Sequence, residues 1–97
     1  MKTIVVEDRA KEEIKNAFFW YLEKKEQTAL RFYQSLTNVL DILVVSPKIG
    51  RLLDDRHRKF HLTRFPYNII YREDAEIIYV IAVAHHSRKP GYWLEEN

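Results

Sequence analysis

A chain of 97 residues with 46% apolar residues, net charge +2, two glycines, three prolines and no cysteine is expected to make one domain, spanning 1–97, around one modest core. This composition excludes disulfides, thiolate chemistry and a low-complexity chain. No apolar run approaches the roughly 20 residues of a bilayer span, and Glu7, Asp8 and Arg9 interrupt any signal-peptide pattern, so a cytoplasmic protein with no membrane partner is expected.

Thr3-Ile4-Val5-Val6 is short and β-branched, which predicts a strand. Asp8 follows as the expected N-cap of a helix, with Glu12 and Glu13 suited to its dipole. Ala10, Ile14, Ala17, Phe18, Tyr21 and Leu22 recur at three- and four-residue spacing and predict one apolar helix face to about Lys24. A second helix is expected from Glu26–Thr28, with a stripe of Ala29, Phe32 or Tyr33, Leu36, Val39 or Leu40, and Leu43. It must stop before Pro47, because the residue ahead of a proline is pushed out of the α region. The short polar join predicts an antiparallel αα-hairpin. Ser46 to Arg51 reads as a loop.

Beyond that loop the period changes from 3.6 to 2. Strands are expected over 58–65, 67–72 and 76–86, and the short connections allow only an antiparallel meander. The order βααβββ predicts an α+β fold, an N-terminal helical hairpin packed on one face of a mostly antiparallel sheet. Alternation then sorts the side chains. Phe60 and Leu62, then Tyr67, Ile69 and Tyr71, then Ile77, Tyr79, Ile81 and Val83 are expected to meet the helices. Lys59, His61, Asn68, Arg72 and His86 are expected on the other face, where small Ala82 and Ala84 leave room for a shallow basic concavity.

Charge is distributed unevenly. Residues 46–72 carry Lys48, Arg51, Arg56, Arg58, Lys59, Arg64 and Arg72 against only Asp54 and Asp55. Such a stretch suits an anionic partner, a nucleic acid or an acidic protein segment, and it also suits a plain solvated surface. The four histidines, His57, His61, His85 and His86, do not have metal-ligand spacing, and no metal or other cofactor is expected. No phosphate-binding glycine loop or nucleophile triad is present. Two imidazoles and a lysine on one sheet face could take a 2′-hydroxyl proton and steady a phosphate. His85 and His86 equally suit local hydrogen bonding at a strand end. Tyr92 and Trp93, after Pro90-Gly91, have no obvious core to enter and mark the C-terminal end as a binding edge.

The order βααβββ, the segment Phe65-Pro66-Tyr67-Asn68-Ile69-Ile70-Tyr71-Arg72 and the ending Ile81-Ala82-Val83-Ala84-His85-His86-Ser87-Arg88-Lys89-Pro90-Gly91-Tyr92-Trp93 together resemble the RelE/ParE superfamily, the toxins of bacterial type II toxin–antitoxin modules. RelE-like members cut mRNA in the ribosome; ParE-like members trap DNA gyrase and are not nucleases. The resemblance to RelE implies catalytic roles for Lys59, His61 and His86 and a base-stacking role for Tyr92. Asn68 replaces an arginine that contacts phosphate in those enzymes, which removes a bidentate donor. The Ser-Arg-Lys-Pro-Gly-Tyr-Trp ending looks like the ParE branch.

The resemblance therefore implies a growth-arresting, plasmid-stabilising toxin directed at gyrase, not an enzyme. Its target would be met by Lys59, Asn68, Arg72, His86, Arg88, Lys89, Tyr92 and Trp93. The alternatives are a ribosome-dependent endoribonuclease acting on mRNA and an inactive toxin-fold interaction module. In each case a small acidic antitoxin of the ParD/RelB kind is the implied partner, in a hetero-oligomer, meeting Phe19, Trp20 and Tyr33 on the hairpin and Arg58, Arg64 and Arg72.

Overall fold

Thr3–Val6 form strand β1 in the computed structural model, which describes residues 2–94. Helices α1 (Asp8–Lys24) and α2 (Glu26–Val45) follow, then β2 (Arg51–Leu52), β3 (His57–His61), β4 (Tyr67–Glu73), β5 (Ile77–His85) and a 3-10 turn, Tyr92–Leu94. The sheet order is β1-β5-β4-β3-β2, with β1 parallel to β5 and every other pair antiparallel. Two helices on one face of a mostly antiparallel sheet is the expected α+β architecture. Among the described residues no helix is long and apolar enough to cross a membrane.

The helical stripes do what their period predicts. Phe32, Leu36, Val39 and Leu43 of α2 are buried, as are Ala10 and Ala17 of α1. They close on Ile69, Tyr71, Ile78, Val80 and Val83 of the sheet. Each large side chain fully buried this way contributes about 1.5–3 kcal/mol. The small Ala10 and Ala17 let α1 lie close against β5. Position 32 resolves the Phe32/Tyr33 alternative, since Tyr33 stays 52% exposed.

Four expectations need correction. Asp8 is not the N-cap of α1. Glu7 holds that position; its N–H still bonds the Val80 carbonyl as the last step of the β1 ladder, which keeps its backbone extended, and its side chain makes no cap. The strand expected over 58–65 ends at His61. Leu62 closes a turn by donating to the Tyr67 carbonyl, and Arg64 adopts a left-handed φ of 71° there. Part of the expected loop pairs as β2, Arg51 opposite Lys59 and Leu52 opposite Arg58.

The fourth correction concerns faces. The β4–β5 register slips between Ile70 and Tyr71, so Ile70 opposes Ala82 while Tyr71 opposes Val80. Ile81 is the extra residue of this bulge. It reverses the alternation of β5 before it, so Ile78 and Val80 meet the helices instead of Ile77 and Tyr79; Val83 meets them as expected. The outer face is not open either. Tyr92 returns to it and is buried with Ile70, Ala82 and Ala84, with Ile81 and Trp93 packed alongside. Alanines that leave a hollow thus supply a core for the Pro-Gly-linked aromatics.

Candidate functional site

Cross-strand register builds the outer face. His57, Lys59 and His61 of β3 lie opposite Arg72, Ile70 and Asn68 of β4, and Asn68 and Ile70 lie opposite Ala84 and Ala82 of β5. Residues directly opposite share a side of the sheet. A cleft of about 500 Å³ results, lined by Lys59, Asn68, His86, Arg88, Lys89, Tyr92 and Trp93. These are seven of the eight residues expected to meet the target. Within it Asn68 Oδ1 is buried and accepts no hydrogen bond from the described residues, an unmet acceptor of the sort native proteins seldom leave. The His61 and His86 rings meet edge to face at 5.6 Å.

Tyr92 forms a wall of this cleft but is only 6% exposed. Its hydroxyl donates to Glu13, and the Arg88 guanidinium sits 3.8 Å from its ring centre. Burial first, and then the Glu13 carboxylate, push its phenol far above the ordinary tyrosine range. Trp93 packs 4.7 Å from His57. His57 Nδ1 lies 3.0 Å from both oxygens of Asp54, and that carboxylate accepts the N–H groups of Arg56 (2.8 Å) and His57 (2.7 Å). The backbone donor of Arg56, then His57, hold Asp54 below its usual carboxylate range.

The eighth residue, Arg72, lies elsewhere. Its guanidinium covers the Tyr79 ring at 4.4 Å and stands 3.8 Å from Glu7. With Lys48, Arg56 and Arg58 it lines a separate cleft of about 380 Å³. Arg58 donates to the carbonyls of Lys48 (3.0 Å) and Gly50 (2.8 Å), so it fastens the loop after α2. Lys48 pairs with Glu73 at 2.9 Å. Arg64 is at the opposite end of the β3–β4 hairpin, beside Thr28, Arg31 and Gln34. The mid-chain cations are therefore divided among several surfaces.

The helical hairpin carries its own groove, about 560 Å³, between Phe18, Phe19, Leu30 and Tyr33, with Lys11 and Lys15 on its margin. Phe19 and Tyr33, each 52% exposed, form its outer walls. Trp20 does not join them. It turns to the other flank of α1, against Tyr21 at 5.1 Å and under Lys24 Nζ at 4.8 Å. There it lines a cleft of about 650 Å³ with Tyr67, His85 and Arg88.

The two adjacent histidines separate. His85 faces the helices beside Tyr67, and its Nδ1 accepts the Ser87 N–H at 3.0 Å, which is the local strand-end role. His86 enters the outer cleft. Among the described residues no three His, Asp or Glu side chains converge as a metal site would require. Sequence reasoning missed Glu13, Asp54 and His57. Asp54 had a legible signal, an aspartate two and three residues ahead of the amides it accepts, the habit of an Asx turn. Glu13 had none.

Residues 4–90 match the family model described as ParE toxin of type II toxin-antitoxin system, parDE. The fold is similar to a solved chain titled "Chromosomal ParDE TA system from P. aeruginosa", with a TM-score of 0.75 and 18% identity over 88% of this chain and 96% of that one. No curated protein matches the chain in sequence.

Proposed function

The chain belongs to the ParE toxin family of type II toxin–antitoxin systems, and we propose that it arrests growth by trapping DNA gyrase and is silenced by a cognate acidic antitoxin. The observation that carries this reading over RNA cleavage is the placement of Tyr92. A base-stacking tyrosine needs a free ring, and here the ring is 6% exposed with Arg88 against it. Asn68 adds no guanidinium to hold a phosphate. What remains in the cleft is a recognition surface of cations, imidazoles and an indole, suited to gripping a protein.

The antitoxin reading is supported by the hairpin groove. Its apolar floor and aromatic walls fit one face of an amphipathic helix, and Lys11 and Lys15 on the margin favour acidic neighbours. The deciding experiment is a supercoiling assay with purified gyrase, ATP and this chain. Double-strand breaks trapped at near-stoichiometric toxin are expected. A folded, growth-arresting protein without effect on gyrase would overturn the proposal.

One observation favours the second reading, a ribosome-dependent endoribonuclease. Lys59 and His86 line one cleft, and His61 meets His86, so an acid–base pair and a cation are within one neighbourhood. That reading requires mRNA cleavage in programmed ribosomes that Lys59→Ala and His86→Ala both abolish.

A further inference from the structure

Glu13 joins three parts of the molecule that are far apart in sequence. One carboxylate oxygen accepts the Val83 N–H at 2.8 Å, the other accepts the Tyr92 hydroxyl, and Arg88 stands 4.0 Å away. The topology explains why a helix supplies that acceptor. β1 pairs with β5 only from Ile77 to Val80. Among the described residues no strand lies beside this edge of β5 past Val80, and Val83 would present an unpaired N–H. Glu13, on the second turn of α1, takes the place of the missing strand.

Tyr92 reaches the same carboxylate from the outer face. After β5 the chain turns at Ser87–Arg88, passes Gly91 with a φ of 79°, and lays Tyr92 over Ile70, Ala82 and Ala84. Arg9 of α1 also lies 5.6 Å from the Tyr92 ring centre, and Trp93 packs against His57. The strap formed by residues 87–94 supplies Arg88, Lys89, Tyr92 and Trp93 to the outer cleft. The shape of that cleft therefore depends on where the strap is held.

We propose that Glu13 is a positioning residue: from α1 it clasps the C-terminal strap round the edge of β5, and so holds the cleft of Lys59, Asn68 and His86 in its target-binding form. The consequence for the target rests on the gyrase reading above, whereas the clasp does not. Glu13 touches no target group. It acts through Tyr92 and Arg88.

The clasp is tested in the full chain by limited trypsin digestion followed by mass spectrometry. The reporter is the Arg88–Lys89 bond in the strap, since the proline after Lys89 blocks the next site. Cleavage after Arg64, exposed in the turn between β3 and β4 and away from the Trp93 contact, is the internal control. Glu13→Ala and Tyr92→Phe are expected to speed cleavage at Arg88 about tenfold or more, because cutting follows the population of the opened strap, and a lost hydrogen bond to a charged group shifts it by that order. The Arg64 cut should not change. Glu13→Gln, which can still accept from Val83 and donate to Tyr92, should restore most of the protection. The Trp93 indole resonance should move in Glu13→Ala and return in Glu13→Gln.

Equal cleavage in wild type and Glu13→Ala, or an unmoved Trp93 resonance, overturns the clasp. If Glu13→Ala does not fold, Tyr92→Phe, which removes one oxygen, decides. A wild type that traps gyrase, beside a Glu13→Ala variant that opens the strap yet traps equally well, overturns the positioning role. A wild type inert on gyrase but with the clasp intact removes the gyrase reading and leaves Glu13 holding the strap.

Discussion

Gly50 shows how one missing carbon positions a loop. A Cβ there would fall 2.5 Å from the Tyr71 hydroxyl and 2.9 Å from the Lys59 carbonyl. The absent side chain lets Tyr71 reach from the core, accept the Gly50 N–H at 2.9 Å and donate to the Pro47 carbonyl at 2.7 Å. Gly50→Ala is expected to lower stability by about 1–3 kcal/mol through overpacking. Tyr71→Phe should cost a similar amount, about 1–3 kcal/mol, by leaving a buried donor unpaired. Urea midpoints for both variants check this; values indistinguishable from wild type would refute it. Tyr67 supplies a pH test. Burial, then the neighbouring Tyr21, push its phenol up to about 12 from the ordinary 10.0. The folded chain thus keeps a proton that the unfolded chain releases above pH 10. The stability this contributes is complete below pH 10 and is lost as pH rises toward 12. Stability measured across that window should fall less steeply in Tyr67→Phe; an identical slope would show that Tyr67 is not the group responsible. None of this was legible locally. Gly50 looked like loop punctuation and Glu13 like a helix-dipole partner, because each acts on a residue more than twenty positions away.

Elements were far more legible than residues. The change of period after Pro47 separated hairpin from sheet, and Ala29, Phe32, Leu36, Val39 and Leu43 mark the buried face of α2 without help from tertiary contacts. Strand β5 was the failure. Ile77 to Ala84 is apolar at every position, so alternation carries no mark of which residue is doubled, and the bulge at Ile81 left no signal. The end of β3 was misjudged for a different reason: the alternation of Phe60 and Leu62 with Lys59, His61 and Thr63 already fails at Arg64, where an apolar residue is due and the chain turns with a left-handed φ. At the scale of the hairpin, Phe19 and Tyr33 support little of the fold while forming the walls of its groove. Phe19→Ala and Tyr33→Ala are therefore expected to change stability by less than about 1 kcal/mol. Each should weaken antitoxin binding by about 2 kcal/mol, as aromatic anchors of a helix-in-groove contact do. Thermal melts and titration calorimetry separate the two effects. Loss of stability with affinity retained would mean that the groove is not the docking site.

For the whole molecule the decisive fact is that the two candidate surfaces lie on opposite sides of one sheet. The hairpin groove is on the helical side, and the cleft of Lys59, Asn68, His86 and Trp93 is on the other. An antitoxin helix seated only in the groove covers nothing in the cleft. To block it, the antitoxin chain must pass round the molecule, whose least dimension is 20 Å. At about 3.4 Å per extended residue that passage takes roughly six residues beyond the helix. The flank of α1 bearing Trp20 offers a route, because its cleft runs from Trp20 to His85 and Arg88 and ends at the Glu13 clasp. An antitoxin segment confined to the groove is thus expected to bind the toxin yet leave trapped gyrase breaks unchanged. The same segment extended past Trp20 should abolish them. Trp20→Ala should weaken the longer segment and leave the shorter one unaffected. Neutralisation by the groove segment alone would place the target surface on the hairpin, and the outer cleft would then have to be read as a structural seam closed by Tyr92.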